Sequence, residues 1–573
     1  MKLALIALLL AWGLFGLGVF LFAPLSNPSV LSDYQTLWRL RDGLPDTLDE
    51  LEALTVRQDG VGWQACVLAA HTHEEAGDYV AAERCLRKAM TLYPTRVLRQ
   101  ELAQALEAVG RRVEALREWE QLLPQPEAVQ AVQRLESDPI RTAGLLNSAG
   151  QYRSALALVG SLSSTPALLA RARALVGLGR AKEAVPEFEQ ILAVTPGDFG
   201  IQQEYARALE RAGELEKALF VYQKRGAAGA YSAGRLLETL DRPKEAVSAY
   251  LLSEEPEARW RAARLLETQG QWDRALVLYH ELATESHRVH DDAALRTYVL
   301  DGQRGENFEA HSMTGSLPPA FCWLLGTYTP PASADTLPSL LSAKPHTLNV
   351  ADALLKTLPE EDASQWAWIE VEIALRTANS AERVSIGEWF LAHGDYYNAY
   401  KIGGQFLSSQ KTKEAYRLTY PRAWWENVQH WASTYHVDPW LVLAVMKEES
   451  SFSPTAVSSS DARGLMQLLP STAKWIVESK LGEAFREEQL FDPDANIRLG
   501  TWYLRYVLEQ FQFNVVKAVA AYNGGPGNVR RWTEAAGAVT SVDVAAALAS
   551  PETREYLTKV LNTWLVYRWL YQA

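Results

Sequence analysis

The stretch DPWLVLAVMKEES, residues 438–450, predicts a buried helix that carries two adjacent carboxylates at its C-terminal end. Asp438 can accept hydrogen bonds from the first free N–H groups of a helix, and Pro439 fits its first turn. The apolar residues that follow supply a side for packing against other helices. Adjacent helical residues point about 100° apart, so only one of Glu448 and Glu449 can face a given cleft, and periodicity leaves that choice open.

Two carboxylates at a helix end have an ordinary and a functional interpretation. Paired glutamates commonly occupy exposed positions, where water solvates them. The C-terminal end of the helix dipole disfavours negative charge, and apolar walls raise the pKa of a carboxyl held against them. A carboxylic acid that stays protonated near neutral pH can serve as a general acid. The pair therefore offers one candidate catalytic acid.

Three later motifs favour the functional interpretation. They read GLMQ at 464–467, AYN at 521–523 and ETREY at 552–556. Gly464 lets the backbone approach a ligand closely, because it has no side chain. Gln467 offers both donors and an acceptor, which suits the acetamido group of a sugar. Together with an acid on a helix, these parts are typical of a cleft that breaks a sugar chain.

In this order, the motifs resemble the soluble lytic transglycosylase family, whose catalytic domain has a goose-type lysozyme fold. In that family the catalytic Glu is followed by Ser and lies 18 positions before the Gln of the GLMQ motif, which selects Glu449. Glu448 is then expected to be a solvated neighbour. Tyr556 is expected to hydrogen-bond the acid. The resemblance implies a set of substrate-binding residues: Ser458, Gly464, Gln467, Tyr522, Asn523 and Tyr556.

Two positions depart from the family pattern. Asp461 stands where the family commonly has Gly, and Glu555 stands where a small residue is usual. Both are expected at the rim of the cleft, so they bear on which substrate the cleft prefers.

The resemblance implies cleavage of the β-1,4 bond between N-acetylmuramic acid and N-acetylglucosamine in peptidoglycan, without water. No second carboxylate stands where the family would require one, whereas ordinary glycosidases use two. Glu449 would act first as acid and then as base, assisted by the N-acetyl group of the sugar, and would leave 1,6-anhydromuramic ends. The alternatives are a lysozyme-type muramidase, which hydrolyses the bond, and a repeat scaffold whose C-terminal domain binds glycan without cleaving it. No cofactor and no metal are expected.

From about residue 60 to 290 the sequence repeats itself loosely every 30 to 40 residues. Each unit has an amphipathic helix, a Gly turn and a second helix with a small Ala at its contact. This pattern resembles tetratricopeptide repeats, whose units stack into a solenoid because none can bury its apolar face alone. The turn glycines are Gly77, Gly150, Gly179, Gly213 and Gly270, and the contact alanines are Ala82, Ala155, Ala184, Ala218 and Ala275.

These patterns predict an all-α protein, in which a tetratricopeptide-like α-superhelical solenoid is followed by a lysozyme-like α-helical catalytic domain. Prolines among residues 327–346 predict a break, and Tyr420-Pro421 predicts the next boundary, because Pro stops the preceding helix. The expected division is a signal anchor or signal peptide (1–25), tetratricopeptide-like helical repeats (26–325), a connecting segment with further helical hairpins (326–420) and the catalytic domain (421–573).

Residues 3–23 form an apolar run of 21, preceded by Lys2. The run is long enough to span a bilayer and lacks a good cleavage site, which favours an uncleaved anchor over a cleaved signal. Either way the protein is expected to be exported to the cell envelope, periplasmic or membrane-anchored and facing the wall. The net charge of −13 argues against nucleic acid. The expected partners are peptidoglycan glycan strands, the membrane through residues 3–23 and cell-wall proteins through the repeats.

Overall fold

The computed structural model describes residues 28–41, 48–284, 289–304, 318–340, 342–538 and 540–572; for 302–304 and 360–362 it describes the backbone alone. The apolar run at 3–23 lies outside these residues. Within them, no helix combines the length and the apolar character needed to cross a bilayer. The described chain is helical, with isolated β-bridges at 457–468 in place of any strand. The predicted all-α class is confirmed.

The chain folds as two compact units, of which the first comprises Met1–Leu135 and Ser342–Ile386. Its helices are Pro28–Leu40, Leu48–Leu54, Gly60–Glu75, Tyr79–Leu92, Arg96–Ala108, Arg112–Glu120, Pro126–Leu135, His346–Thr357, Glu360–Thr377 and the first half of Ser380–Ala392. In this unit, residues distant in the chain meet around the buried carboxyl of Glu370. That carboxyl accepts hydrogen bonds from Tyr34 Oη at 2.6 Å and from the Gly60 N–H at 2.8 Å.

The second unit comprises Glu136–Leu341 and Gly387–Ala573. Its first helices are Pro139–Ser148, Tyr152–Val159, Thr165–Gly177, Ala181–Val194, Phe199–Ala212, Leu215–Lys224, Ala227–Thr239, Pro243–Tyr250, Pro256–Thr268, Trp272–Thr284, His290–Arg304 and Pro319–Leu324, followed by the 3-10 turn Ala334–Thr336. Its later helices are Tyr396–Leu407, Lys413–Thr419, Trp425–Tyr435, Pro439–Ser450, Pro470–Lys474, Pro493–Gln510, Val515–Gly524, Pro526–Ala535, Ser541–Ala547 and Pro551–Tyr571. A π-helical segment, Trp475–Leu481, and a 3-10 turn, Glu487–Phe491, lie between them.

The repeat pattern has the structural basis that the sequence predicts. The five turn glycines all adopt positive φ angles, from 72° to 84°, in the left-handed region that favours glycine. The five contact alanines are fully buried, which lets consecutive helices approach closely. Of the five hairpins that these residues mark, Gly60–Glu75 with Tyr79–Leu92 lies in the first unit, and the other four lie in the second.

The C-terminal helices of the second unit form most of one hydrophobic core, which also includes residues from earlier in the chain. Helix Pro439–Ser450 packs against helix Pro551–Tyr571, and Trp564 Nε1 of the latter donates to Asp438 Oδ2 at 2.8 Å. The same core contains Leu295 and Phe321 from the part of the chain that precedes residue 421. The site described below is therefore supported by helices from both sides of the predicted boundary.

Candidate active site

Helix Pro439–Ser450, here called the acid helix, begins and ends as its sequence predicts. The Asp438 carboxylate accepts from the Trp440 N–H at 2.9 Å, and Pro439 occupies the first turn. The helix is buried continuously from Trp440 to Lys447. Its burial fixes the helix among its neighbours, so the side chains at its C-terminal end have defined directions.

Glu449 points from the acid helix to the first turns of helix Pro551–Tyr571. Tyr556 Oη donates a hydrogen bond to Glu449 Oε1 at 2.7 Å. Burial raises the pKa of Glu449 to about 7, the hydrogen bond from Tyr556 lowers it, and the negative charge of Glu448 raises it further. The balance leaves a carboxyl that exchanges a proton near neutral pH, as a group that acts both as acid and as base must.

Glu448 is not the solvated neighbour that the sequence suggested. Its side chain is only 14% exposed. It accepts from Thr563 Oγ1 at 2.6 Å and from Lys447 Nζ at 2.8 Å. The expectation was wrong because it treated the helix end as a free end, whereas helix Pro551–Tyr571 packs along it.

The GLMQ segment lies beside the acid helix and is tied to it by Ser450. Ser450 Oγ donates to the carbonyl of Leu465 at 2.8 Å. Gly464 has a φ of 75°, and a Cβ there would meet the Leu490 carbonyl oxygen at 2.0 Å. Glycine is therefore required at position 464 because its backbone lies against the Leu490 carbonyl of the protein itself. Gln467 donates from Nε2 to the carbonyls of Ala456 and Gly464. Within the described residues its Oε1 accepts no hydrogen bond, so this oxygen is available to a ligand.

Tyr522 and Asn523 stand at the end of helix Val515–Gly524, on the other side of the GLMQ segment. Tyr522 Oη donates to the Met466 carbonyl at 2.9 Å, which joins the two motifs directly. Asn523 Oδ1 accepts from Thr553 Oγ1 at 2.9 Å, so its amide nitrogen is the group left for substrate. The structure therefore brings Tyr522 and Tyr556 close to Glu449, joins Tyr522 to the segment that contains Gln467, and ties Asn523 to the helix that carries Tyr556.

The remaining predicted residues lie in loops or at helix surfaces. Ser458 is exposed, and its hydroxyl accepts from the N–H groups of Ser460 and Ala462 within its own loop. Asp461 has a φ of 65°, in the left-handed region that favours glycine, which is the residue usual there in the family. Its carboxylate pairs with Arg463. Glu555 forms an ion pair with Lys559 one turn later.

Asn496 is a supporting residue that sequence reasoning missed. It is fully buried, accepts from the Met466 N–H at 2.7 Å and donates to the carbonyls of Arg463 and Leu490. These bonds hold the backbone of the GLMQ segment in place. The available signal was an amide residue beside the apolar stripe of helix Pro493–Gln510, immediately before the buried Ile497.

Comparisons with known proteins identify the kind of domain in which the candidate acid lies. Residues 426–542, which include Glu449 and Asn523, match the model of the Transglycosylase SLT domain, and residues 64–96 match that of the Tetratricopeptide repeat. The soluble lytic murein transglycosylase of Escherichia coli K12 is 28% identical over 234 residues, which are 40% of this chain and 35% of the relative. The membrane-bound lytic murein transglycosylase C of Edwardsiella ictaluri is 35% identical over 191 residues, which are 30% of this chain and 51% of the relative.

Solved structures show the same fold over most of the chain. The 70-kDa soluble lytic transglycosylase of Escherichia coli superposes with a TM-score of 0.57 at 17% identity, covering 94% of this chain and 91% of that one. The lytic transglycosylase Slt of Pseudomonas aeruginosa gives a TM-score of 0.51 at 20% identity, covering 94% and 92%. In sequence, the chain spans about a third of the length of the first curated relatives it matches. The resemblance is thereby confirmed: the chain is similar to soluble lytic transglycosylases, with a match to the Transglycosylase SLT domain at residues 426–542 and to a Tetratricopeptide repeat at residues 64–96.

Proposed function

We propose that the protein is a peptidoglycan lytic transglycosylase that cleaves the bond between N-acetylmuramic acid and N-acetylglucosamine without water. The observation that carries the proposal is the placement of the half-buried Glu449 carboxyl, which accepts a hydrogen bond from Tyr556 and lies close to Tyr522 of the AYN segment. Burial also raises its pKa to about 7. Its relatives are named lytic murein transglycosylases, which supports the substrate class. The Escherichia coli structure was also solved in complex with bulgecin A, and the Pseudomonas aeruginosa structure is of an inactive Glu-to-Gln mutant.

In the first step, protonated Glu449 gives its proton to the glycosidic oxygen of the scissile bond. With a pKa of about 7, roughly half of the molecules carry this proton at neutral pH. The C–O bond breaks, the N-acetylglucosamine unit leaves as an alcohol, and positive charge develops at the anomeric carbon of the muramic acid. The carbonyl oxygen of the same sugar's N-acetyl group attacks that carbon and holds the charge.

In the second step, Glu449 acts as the base. Its carboxylate, stabilised by the Tyr556 hydroxyl, removes the proton from the C6 hydroxyl of the muramic acid. The C6 oxygen attacks the anomeric carbon, the N-acetyl oxygen departs, and the 1,6-anhydro ring closes. Glu449 ends protonated as it began, so one carboxyl serves both steps and no water is consumed.

Glu448 does not supply the second carboxylate of an ordinary glycosidase. Its Oε1 accepts from Thr563 of helix Pro551–Tyr571 and from Lys447, the preceding residue of the acid helix, so both of its partners belong to the protein. We assign it an electrostatic role, because its charge raises the pKa of Glu449. The free Oε1 of Gln467 and the amide nitrogen of Asn523 are the groups that we propose to hold the acetamido substituents of the substrate.

The proposed reaction places the protein at the cell wall. We propose that residues 3–23 export it to the cell envelope and that the tetratricopeptide repeats offer a surface to cell-wall proteins. These proposals rest on the apolar run and on the repeat architecture. N-terminal sequencing of the fractionated protein tests the anchor, since a soluble form beginning near residues 24–30 would show that the run is cleaved.

The experiment that tests the reaction is digestion of purified sacculi by the full chain in water enriched in ¹⁸O, with mass spectrometry of the products. A transglycosylase gives anhydro ends that are one water lighter than hydrolysed ends and that contain no ¹⁸O. Reducing ends labelled with ¹⁸O would instead establish a muramidase. Sacculi that remain intact under conditions where the chain binds them would favour the scaffold alternative.

A further inference from the structure

We propose that a row of aromatic side chains leading away from Tyr522 binds sugar units of the glycan strand beyond those at the scissile bond. This row, called the aromatic ledge, consists of Trp475, Trp502, Tyr503 and Tyr506. The inference rests on the proposed function, because it takes the glycan as the occupant. It adds a binding surface that extends the site along the strand.

The rings of the ledge form an unbroken chain of contacts that starts at the candidate site. The Tyr503 ring meets Tyr522 edge-on at 5.3 Å between centroids, and Tyr503 lies 6.1 Å from Tyr506. Tyr506 stacks on Trp502 at 5.7 Å with 8° between the planes, and Trp475 meets Tyr506 edge-on at 5.2 Å. Tyr522 bonds to Met466 and lies close to Glu449, so the ledge begins beside the candidate acid.

The ledge is half-buried, with one side against protein and its polar edge toward solvent. Trp475, Trp502 and Tyr503 rest on a small apolar cluster that includes Ile476 and Leu490. The ring N–H and O–H groups of the ledge make no hydrogen bond within the described chain and are not sealed from solvent. By contrast, Tyr522, Tyr556 and Trp564 of the same unit all donate to protein acceptors.

The chemistry of the ledge fits a saccharide better than an apolar peptide or a lipid. Aromatic faces pack against the apolar C–H surfaces of sugar rings, while their N–H and O–H groups need polar partners. An apolar ligand would bury those groups without a hydrogen-bond partner, which is unfavourable. Sugar hydroxyls and acetamido carbonyls would satisfy them. Lys480 lies over the Trp475 ring at 5.1 Å and covers part of it, so Trp475 marks the outer end of the ledge.

The backbone at the outer end of the ledge is also unusual. Trp475 opens the π-helical segment Trp475–Leu481. Such segments are rare and occur frequently at functional sites, because the inserted residue redirects the side chains around it. Here the π-helical segment places Trp475 against Trp502 and Tyr506, which lie on a separate helix.

The test measures how binding depends on the length of the glycan. The full chain carrying Glu449→Gln, which is expected to bind without cleaving, is titrated calorimetrically with oligosaccharides of alternating N-acetylglucosamine and N-acetylmuramic acid, four or eight sugars long. Trp475→Ala and Tyr506→Ala are added singly to this background. Trp272→Ala is the matched control, because Trp272 is a 43%-exposed tryptophan of the same unit outside the ledge.

We expect the ledge variants to lose about tenfold in affinity for the eight-sugar strand, the equivalent of about 1.4 kcal/mol, and to bind the four-sugar strand like the background. Trp272→Ala should bind both strands like the background. Equal losses for both lengths, or unchanged binding of the longer strand, would overturn the inference. Tyr506→Phe keeps the ring and removes only the hydroxyl, so it yields a folded variant with a smaller loss in the same direction if Tyr506→Ala fails to fold.

The outcome is separable from that of the proposed function. Length-dependent binding is measured in a protein that does not cleave, whereas the reaction is measured on sacculi with the unaltered chain. Cleavage of sacculi with anhydro ends, combined with ledge variants that bind like the background, would overturn the ledge alone. Loss of binding to the longer strand, combined with hydrolysed ends from sacculi, would support the ledge and overturn the transglycosylase.

Discussion

The two compact units each bury a glutamate beside a tyrosine hydroxyl, and the two pairs look alike chemically. In the first unit, Tyr34 Oη donates to Glu370 at 2.6 Å; in the second, Tyr556 Oη donates to Glu449 at 2.7 Å. Burial raises the pKa of both carboxyls to about 7. A raised pKa by itself therefore reports burial, and it does not identify a catalytic acid.

The surroundings separate the two pairs. Glu370 is 2% exposed, and its Oε2 also accepts from the N–H of Gly60, the first residue of helix Gly60–Glu75. A Cβ on Gly60 would meet that oxygen at 2.1 Å, so the carboxyl fills the space at the helix end. Glu449 is half-buried, and it lies close to Tyr522 of the AYN segment as well as to Tyr556. Glu370 thus joins helices, whereas Glu449 keeps access to a ligand.

The largest predicted difference is in catalysis. Glu449→Gln should reduce cleavage of sacculi by about 10²- to 10⁴-fold or more, because glutamine cannot donate and recover a proton at neutral pH. Glu370→Gln is the matched control and should leave the rate unchanged. Product release measured by chromatography compares the two, with circular dichroism as the check on folding. Comparable losses of rate from both variants would show that Glu449 and Glu370 do not differ in their role in catalysis.

The next predicted difference is in stability, and it concerns Glu370. Its folded pKa of about 7 lies above the ordinary 4.5, so the folded state holds a proton that the unfolded state has released between these values. This contribution is complete below about pH 4.5 and is lost as pH rises through about 7, a change on the order of 3 kcal/mol. Denaturant melts of the wild type and of Glu370→Gln at pH 5 and pH 8 should show the wild type relatively more stable at pH 5. Parallel pH dependence in the two proteins would contradict this assignment.

Much of the fold could be predicted from the sequence, because the patterns that indicate it involve residues close together in the chain. The turn glycines and contact alanines recur at fixed offsets, and Asp438-Pro439 begins a helix where expected. The all-α class follows from such patterns alone. The candidate acid also lies on a locally predictable helix, although the choice between Glu448 and Glu449 required the family resemblance.

The parts that sequence reasoning missed depend on contacts between distant residues. Tyr34 and Glu370 are 336 positions apart, so no local pattern connects them. The burial of Glu448 depends on Thr563, 115 positions later. The three hydrogen bonds of Asn496 join it to Arg463, Met466 and Leu490, which lie 6 to 33 positions away in the chain. Periodicity predicts which face of a helix is buried, but it does not predict the partner.

A smaller effect, on the pH–rate profile, should distinguish Tyr556 from Tyr34. Tyr556→Phe removes the hydrogen bond that lowers the pKa of Glu449, so that pKa should rise and the alkaline limb of the pH–rate profile should move to higher pH. The rate at the optimum should fall by about tenfold, because the carboxylate loses the group that stabilises it in the second step. Tyr34→Phe makes the same change beside Glu370 and should leave the profile in place. A profile that moves to lower pH in Tyr556→Phe would contradict the role given to this hydroxyl.

The smallest predicted effect comes from the neighbour of the acid. Glu448→Gln keeps an oxygen for Thr563 and Lys447 but removes the negative charge that raises the pKa of Glu449. The alkaline limb should therefore move to lower pH, the opposite direction from Tyr556→Phe. At pH 7.5 the rate should fall by only two- to threefold, corresponding to roughly 0.5 kcal/mol for one screened charge.

Glu552 also raises the pKa of Glu449, but it is the weaker cause and is exposed, so Glu552→Gln should move the alkaline limb in the same direction by less. If Glu552→Gln had the larger effect, the charge that tunes Glu449 would come from the rim of the cleft, and the buried position of Glu448 beside Thr563 would serve packing alone.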